Sequence, residues 1–125
     1  MFVVEQSCPY QDLDELDRIS FHIFGTFNDN TIAVGRIIPY NNDRKVVIGR
    51  IAVDEKYRRK GYARKMMKEI IKFIIKEFPD FKIELSAQTY LLGFYNSLGF
   101  ISIGDEYLED GIPHIYMSKS VKIDS

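Results

Sequence analysis

The residue types best suited to chemistry lie in one short stretch, where a β-branched run leads into a basic turn that contains a glycine. Val46–Val53 is almost continuously apolar, Arg58 to Lys60 are basic, and Gly61 precedes a long amphipathic segment that begins at Tyr62. The first backbone N–H groups of a helix have no partner within it, so a strand, a glycine turn and a helix N-terminus together form an anion site. Glycine also adopts conformations closed to other residues and lets a phosphate approach closely. The stretch therefore predicts a site for a phosphorylated ligand.

Two common phosphate-binding motifs do not fit this turn. A Walker-type loop ends in Gly-Lys-Ser/Thr, whereas here Lys60-Gly61 is followed by Tyr62. A dinucleotide fingerprint needs three glycines, and only Gly61 is present. His22 and His114 are far apart in sequence, so we expect no metal. The remaining interpretation is a single-glycine turn that holds a diphosphate with backbone N–H groups.

Composition indicates one folded domain over residues 1–125, because 46% of the residues are hydrophobic and the chain is long enough for a core. Cys8 is the only cysteine, no apolar run spans a bilayer, and the start is unlike a secretory signal. We therefore expect a cytoplasmic protein without membrane contact. Residues 43–77 hold twelve bases and five acids, which favours a polyanionic ligand.

Hydrophobic periodicity predicts an α/β (α+β) domain with a mixed central sheet. Pro39 is expected to end the second strand, and Pro79 the long helix. The strand, long helix, strand unit in the middle should be a right-handed parallel crossover. The predicted order is β-β-β-α-β-α-β-β, with an acidic loop at Asp105–Gly111 before the last strand. The elements are expected at Phe21–Phe27, Thr31–Ile38, Val46–Val53, Tyr62–Phe78 (helix), Lys82–Ser86, Leu91–Leu98 (helix), Phe100–Ile103 and Ile112–Ser118.

The basic turn resembles the coenzyme A loop of the GNAT N-acetyltransferases, Arg/Gln-x-x-Gly-x-Gly/Ala, which Arg58, Gly61 and Ala63 match. Gln88 and the run 94–100 resemble a later part of that family, where an Asn-like residue is followed by Tyr-x-x-x-Gly-Phe. Residues 2–12 and 109–115 look like the ElaA-type branch, so the resemblance covers essentially the whole chain. It implies the GNAT fold and an N-acetyltransferase that uses acetyl-CoA.

The resemblance also shows a departure at the N-terminus. Relatives carry a first strand and most of a first helix before the segment that begins at Phe2. We expect these two elements to be missing here. Their absence would leave an open sheet edge that a second copy could cover, so a homodimer is an expected assembly.

The resemblance implies which residues contact each part of the coenzyme. The strand that ends at Val53 should separate from the strand 82–86, and its backbone should pair with the pantetheine arm. One of its N–H groups would also donate to the thioester oxygen. The turn amides would hold the diphosphate, attracted at longer range by Arg58 and Lys60. The implied coenzyme-binding residues are Ile51, Ala52, Val53, Arg58, Arg59, Lys60, Gly61, Tyr62, Ala63 and Gln88.

Tyr95 is implied as the general acid that donates to the departing sulfur. The ordinary pKa of tyrosine, about 10, exceeds that of a thiol, about 8.5, so a hydrogen bond to the thiolate is all it need give. The acceptor, a small-molecule or peptide amine, must lose a proton before it attacks. Glu5, Glu84 and His114 are candidate bases, and the sequence does not choose among them. Acids at 5–17 and 105–110 would favour a cationic acceptor.

Two other functions compete with catalysis. A non-catalytic acyl-CoA-binding domain, or an inactive relative that lacks its first elements, would bind coenzyme without transferring an acyl group. A nucleic-acid-binding role for the basic helix is disfavoured, because the bases begin at a phosphate turn. In addition, Phe81, Phe94 and Phe100 have core-like placement rather than forming a stacking row. We therefore expect no nucleic-acid partner.

Overall fold

The computed structural model describes residues 2–6, 20–58 and 61–120, which form a seven-stranded mixed sheet with two α-helices. The sheet order is β1-β2-β3-β4-β5-β7-β6. β4 and β5 are parallel and all other neighbours are antiparallel, which confirms the predicted mixed sheet. The strands are β1 Phe2–Gln6, β2 Phe21–Phe27, β3 Asn30–Tyr40, β4 Lys45–Val53, β5 Lys82–Gln88, β6 Ile101–Glu109 and β7 Ile112–Lys119; the helices are α1 Tyr62–Glu77 and α2 Leu92–Ser97.

One hydrophobic core joins both helices to the sheet. α1 buries four side chains that recur at helical spacing, Met66, Met67, Ile70 and Ile74. Alternate residues of β5 (Ile83, Leu85 and Ala87) are buried in the same cluster as Tyr95 and Phe100. The crossover β4-α1-β5 thus fixes the start of α1 near the end of β4.

β1 was absent from the predicted order. Phe2–Gln6 pairs antiparallel with β2, from Phe2 opposite Gly25 to Gln6 opposite Phe21. The pentapeptide is too short to show a clear period-two pattern by itself. Its pairing with β2, rather than its own sequence, makes it a strand.

Pro39 does not end β3, contrary to the prediction. β3 continues to Tyr40, and Pro39 pairs with Val46 of β4. The β2 ladder reaches only to Phe21 opposite Ile37, so no strand of the described chain lies on the other side of Pro39. On that side the missing N–H of proline has no ladder bond to break among the described strands.

The predicted acidic loop is mostly strand. β6 extends to Glu109, and a two-residue turn at Asp110 and Gly111, both with positive φ, connects it to β7. Asp-Gly is the preferred sequence for such a hairpin turn. Between Ile103 and Tyr107 the pairing register shifts, because β6 uses four steps where β7 uses two. This irregularity accounts for the loss of period-two alternation in that part of the sequence.

β4 carries a bulge where its pairing with β5 ends. Arg36 pairs with Gly49 and Val34 with Ala52, so β4 uses three steps where β3 uses two. The last β4–β5 pair is Ile48 opposite Leu85. Beyond it each strand keeps its other neighbour, β3 or β7, and no described strand lies between them. The result is a wedge-shaped opening in the sheet.

Gly35 leaves room for side chains of β4, β2 and α1 to pack closely around β3. A Cβ placed there would lie 2.8 Å from Ile51 Cδ1 and 3.2 Å from Ile23 Cγ2, with Ile70 Cδ1 at 3.4 Å. We expect Gly35→Val to destabilise the protein by about 1–3 kcal/mol, because it overpacks this contact. Urea denaturation measures the loss.

The matched control for Gly35 is Gly93→Ala, a helix position with open space around the added methyl group. It should stabilise the protein by roughly 0.5–1 kcal/mol through helix propensity. A Gly35→Val variant as stable as the wild type would show that Ile51, Ile23 and Ile70 do not pack closely around Gly35.

Candidate coenzyme-binding and acyl-transfer site

The opening between β4 and β5 exposes strand backbone on both of its sides. On one side lies the β4 segment Gly49–Val53, which includes the predicted residues Ile51, Ala52 and Val53. On the other side lies Ser86–Gln88 of β5. Unpaired strand edges hydrogen-bond readily to an extended amide-bearing chain. The opening therefore has the shape and chemistry for a pantetheine-like arm.

The turn after β4 is held by two local bonds. The Asp54 carboxylate accepts from the Lys56 N–H at 3.0 Å and caps the 3₁₀ helix Glu55–Tyr57. The Arg58 Nε–H donates to the Val53 carbonyl oxygen at 3.0 Å. Arg58 therefore links the turn to the end of β4. This structural role adds to the long-range attraction to the diphosphate that the sequence predicted. Arg59 and Lys60 lie outside the described residues.

Gly61 forms the N-cap of α1 in the left-handed conformation, with φ 81° and ψ 5°. The Lys65 N–H bonds to the Gly61 oxygen at 3.1 Å, so the N–H groups of Tyr62, Ala63 and Arg64 precede the first intrahelical bond. In this part of the structure no side chain caps these donors, and the first turn holds no acid. A Cβ on Gly61 would meet nothing within 4 Å. Space, free donors and the helix dipole together fit a diphosphate.

Arg64 links this helix start to α2. Its guanidinium carbon lies 5.2 Å from the centroid of the Phe94 ring, within cation–π range. The Phe94 ring in turn packs edge-on against Tyr95, with centroids 5.1 Å apart. The anion-binding end of α1 and the helix that carries Tyr95 are thus in direct contact.

The Tyr-x-x-x-Gly-Phe motif forms a Schellman motif at the end of α2. The Phe100 N–H bonds to the Tyr95 oxygen at 3.1 Å, and the Gly99 N–H to the Asn96 oxygen at 3.0 Å. Gly99 has φ 96°, which favours glycine, and the Tyr95 and Phe100 rings make the accompanying contact at 6.1 Å. The spacing in the sequence is therefore the spacing that this helix end requires.

Tyr95 is buried, with 7% of its surface exposed. Burial, and secondarily the nearby Tyr90, raises the pKa of the Tyr95 phenol above its ordinary value. Tyr95 is therefore protonated at neutral pH and suited to donate a hydrogen bond. Full transfer of its proton to a thiolate becomes harder as that pKa rises.

Gln88, His114 and Tyr107 form a row across the open end of the sheet, since Gln88 pairs with His114 and His114 with Tyr107. The His114 ring is buried and stacks on the Tyr107 ring. Its Nδ1 lies 2.8 Å from the Ile112 oxygen and its Nε2 lies 3.3 Å from Glu109 Oε2. The structure thus brings Gln88 and His114 together at the opening.

Glu84 lies on the closed side of the opening, where Val47 still pairs with it. Its Oε1 accepts from the Tyr116 hydroxyl at 3.0 Å and lies 3.5 Å from Lys45 Nζ. Glu5 is further away, because β2 and β3 separate β1 from β4 by about 14 Å of sheet at 4.8 Å per strand. Neither predicted base therefore has its backbone at the open end.

Three interactions at the site were missed by sequence reasoning. They are the Glu109–His114 pair, the hydrogen bond between Ser86 Oγ and the Tyr107 hydroxyl, and the contact of Arg64 with Phe94. The Asp110-Gly111 turn was a usable signal for the first, because a two-residue hairpin places the flanking residues of β6 and β7 opposite one another. The other two depend on long-range pairing and carry no local signal.

An open mixed sheet beside a glycine-capped helix is the architecture of acyl-CoA-dependent N-acyltransferases. The chain belongs to the GNAT acetyltransferase family, since residues 3–121 match the family's acetyltransferase domain. It is 42% identical over 124 residues to protein ElaA of Escherichia coli, which covers 97% of this chain and 81% of that protein. It is also 41% identical over 119 residues to a UPF0039 protein of Schizosaccharomyces pombe (94% and 79%).

Solved structures agree with this assignment. The Escherichia coli ElaA crystal structure superposes with a TM-score of 0.76 at 38% identity, over 90% of this chain and 78% of that chain. An acyl-CoA N-acyltransferase from Pseudomonas aeruginosa gives a TM-score of 0.77 at 32% identity with the same coverage. An aminoglycoside 6'-N-acetyltransferase complexed with coenzyme A shares the fold at 14% identity and a TM-score of 0.69, over 85% and 75%.

The described residues hold neither a helix able to span a membrane nor a cluster of metal ligands. None of their helices combines the length and apolarity needed to cross a bilayer. No group of three or more His, Cys, Asp or Glu in these ranges could hold a metal ion, and the expectation of no metal stays a prediction.

The Tyr116–Glu84 bond has a measurable consequence. Burial first, and the bond to Glu84 second, raises the pKa of Tyr116 to about 12. Because this lies above the ordinary value of about 10, the stabilisation linked to Tyr116 is complete below pH 10 and is lost as the pH rises toward 12. We expect Glu84→Gln to lower the pKa of Tyr116 part of the way, since burial remains.

Alkaline titration of tyrosinate absorbance tests this, with Tyr116→Phe identifying the step that belongs to Tyr116. If Glu84→Gln leaves the pKa of the Tyr116 step unchanged, Tyr116 does not hydrogen-bond to Glu84. The Glu84 carboxylate is then available for other chemistry.

Proposed function

We propose that this protein transfers an acetyl group from acetyl-CoA to a primary amine, by direct attack within a ternary complex. One observation carries the proposal: the sheet opens between β4 and β5 at the point where the turn delivers the free N–H groups of α1. A single ligand with an amide-bearing arm and a diphosphate would use both features. Acetyl-CoA has this combination.

The donor half of the site uses mostly backbone. Ile51, Ala52 and Val53 would pair with the pantetheine arm, and one of their N–H groups would donate to the thioester oxygen as negative charge develops. Arg59 to Ala63 would hold the diphosphate, while Gln88, at the end of β5, would bond to the pantetheine amides. The open space at Gly61 supports this role.

Tyr95 would complete the transfer. The amine nitrogen bonds to the acetyl carbon, the carbon–sulfur bond then breaks, and the electron pair leaves with sulfur. The Tyr95 hydroxyl would donate a hydrogen bond to that sulfur. Its raised pKa makes this hydrogen bond, rather than full proton transfer, the contribution we propose.

His114 is the best placed of the three candidate bases, because its strand position faces Gln88 at the open end. The Ile112 carbonyl can only accept, so Nδ1 carries a proton and Nε2 is the nitrogen that would receive one from the amine. Glu109, whose side chain is mostly exposed, must move aside for the amine to reach Nε2 and could then stabilise the imidazolium. Glu5 and Glu84 remain alternatives, either acting through water.

The acceptor is proposed to be a cationic small molecule or peptide, because the carboxylates of β6 and its turn lie beside this end of the sheet. The competing function is a non-catalytic acyl-CoA-binding domain, which would use the same donor half. A cytoplasmic location and a homodimer stay part of the proposal. Among the described residues, the sheet edge that the sequence assigned to the second copy is, however, formed by β1.

Coenzyme binding is tested by calorimetry and thermal shift with acetyl-CoA, CoA and NAD. At a hundredfold excess over the dissociation constant, acetyl-CoA and CoA should stabilise the wild type by about 2.7 kcal/mol, a shift on the order of 10 °C. NAD should not. Gly61→Asp places a carboxylate in the diphosphate cradle and should abolish the shift.

Gly61→Asn is the control for Gly61→Asp, because it has the same size and tolerates a positive φ but carries no charge. Its affinity should lie between those of the wild type and Gly61→Asp. A wild type that CoA does not stabilise would refute the donor half of the proposal.

Catalysis is tested by thiol release from acetyl-CoA across lysine peptides, protein N-termini, polyamines and amino sugars. Tyr95→Phe should lower kcat by about 10–100-fold with little change in KM, as expected for loss of a hydrogen bond made in the transition state. His114→Gln should slow transfer to the amine more than Glu84→Gln does, because only His114 has its strand position at the open end of the sheet. Coenzyme binding without transfer to any amine would favour the non-catalytic alternative.

A further inference from the structure

Two side-chain hydroxyl groups meet at the apex of the opening between β4 and β5. Ser86 directly follows Leu85, whose pairing with Ile48 is the last between those two strands. The Ser86 Oγ and the Tyr107 hydroxyl are hydrogen-bonded to each other, although Tyr107 belongs to β6, on the far side of β7. Both residues are exposed, Tyr107 to 38%. A ligand in the opening can therefore reach this hydroxyl pair.

The hydroxyl pair lies on the face of the sheet opposite to the helices. Successive side chains of a strand point to opposite faces, and Leu85 and Ala87 are buried in the core that contains Tyr95. Ser86, between them, is exposed on the other face. A thioester in the opening would thus have Tyr95 on one side of the sheet and the hydroxyl pair on the other. An amine that arrives on the hydroxyl side would not have to pass the helices.

An irregular stretch of β6 puts Tyr107 in this position. Ile103 is opposite Tyr116 on β7, in a regular antiparallel register. The next pair joins Tyr107 to His114, so β6 takes four steps where β7 takes two. An uninterrupted ladder would place Asp105 opposite His114 instead. Irregularities of this kind re-aim side chains beside active sites. Here the two extra residues replace a carboxylate with a neutral ring that carries a hydroxyl.

A neutral hydroxyl pair suits an amine that must react in its uncharged form. The bond between the two hydroxyls uses one O–H, which leaves the second O–H and lone pairs on both oxygens. These oxygens can accept the N–H groups of an amine, so the nitrogen lone pair stays free to face the acyl carbon. A carboxylate at the same place would favour the protonated amine and raise its pKa, which opposes attack.

The hydroxyl pair also adjoins the candidate base, while two carboxylates on this face are already engaged. The Tyr107 ring stacks on the His114 ring, with centroids 6.1 Å apart. Glu84 Oε1 accepts from the Tyr116 hydroxyl at 3.0 Å, and Glu109 Oε2 lies 3.3 Å from His114 Nε2. An amine held by the hydroxyl pair would therefore lie beside the imidazole.

We propose that the hydroxyl pair of Ser86 and Tyr107 binds the acceptor nitrogen and orients its lone pair toward the acyl carbon. Both are then catalytic residues, because they contact the substrate. The inference rests on the proposed transfer to a primary amine and adds a specific contact for the acceptor. The competing explanation is a bond that only ties β6 to β5 across β7. That explanation predicts lower stability without a specific loss for the amine.

Two β-branched variants at Ser86 separate these explanations. Threonine and valine both favour strands, but only Ser86→Thr keeps a hydroxyl. In the thiol-release assay, Ser86→Val and Tyr107→Phe should each lower kcat/KM for the amine by about 10–100-fold, as for a misoriented reactant. Ser86→Thr should stay within about threefold of wild type. The dissociation constant of acetyl-CoA, measured by calorimetry, should be unchanged in all three, since the donor half of the site is intact.

Tyr116→Phe is the matched control for Tyr107→Phe, because it removes another tyrosine bond to β5, on the closed side of the opening. It should keep kcat/KM for the amine within about threefold of wild type. The two hydroxyls act as one unit, so the double variant Ser86→Val/Tyr107→Phe should be within about threefold of the slower single variant. Thermal unfolding of each variant reports whether its fold is kept.

Two results would overturn this contact and leave acyl transfer intact. One is a Ser86→Val variant as active as Ser86→Thr, and the other is a Tyr107→Phe variant no slower than Tyr116→Phe at equal stability. A wild type that releases CoA with no amine would instead refute the proposed function, and this contact with it.

Discussion

The separation of β4 from β5 after the Ile48–Leu85 pair is the constraint on which the rest of the structure depends. Two parallel strands would normally continue to share hydrogen bonds, and here a bulge in β4 at the same level turns it aside. Both strands remain anchored on their other sides, by β3 and β7. The opening is therefore a fixed feature of the sheet, and its free backbone is available without unfolding anything.

The groups around that opening are placed by ordinary structural devices. Gly61 caps α1 in a left-handed conformation and leaves the first N–H groups free, while Arg58 secures the turn to Val53. A Schellman motif fixes the end of α2 and, with it, Tyr95. The contact of Arg64 with Phe94 joins the two helices. In the proposed function, donor recognition would thus rest on backbone geometry more than on particular side chains.

The fold class, the glycine-capped start of α1 and the end of α2 could be predicted from sequence, because their signals are local: the turn at 58–63, the apolar spacing of α1 and the spacing from Tyr95 to Phe100. The coenzyme-binding role of these residues stays a prediction. The remaining features depend on neighbours distant in sequence. Phe2–Gln6 is a strand because β2 pairs with it, and Pro39 stays within β3 because β2 ends before it. His114 meets Glu109 only through the hairpin register, and Glu84 is engaged by residues from β4 and β7. The sequence alone therefore does not choose among the candidate general bases.

The central claim is that one extended ligand occupies both the opening and the turn. Titration of isotope-labelled protein with CoA, followed by backbone amide resonances, tests it most directly. The account predicts the largest shifts at Ile51–Val53, Ser86–Gln88 and Gly61–Arg64, with little change in the second half of α1. Saturable binding that instead perturbs the basic surface of Lys68, Lys72 and Lys76, or no perturbation at all, would contradict it.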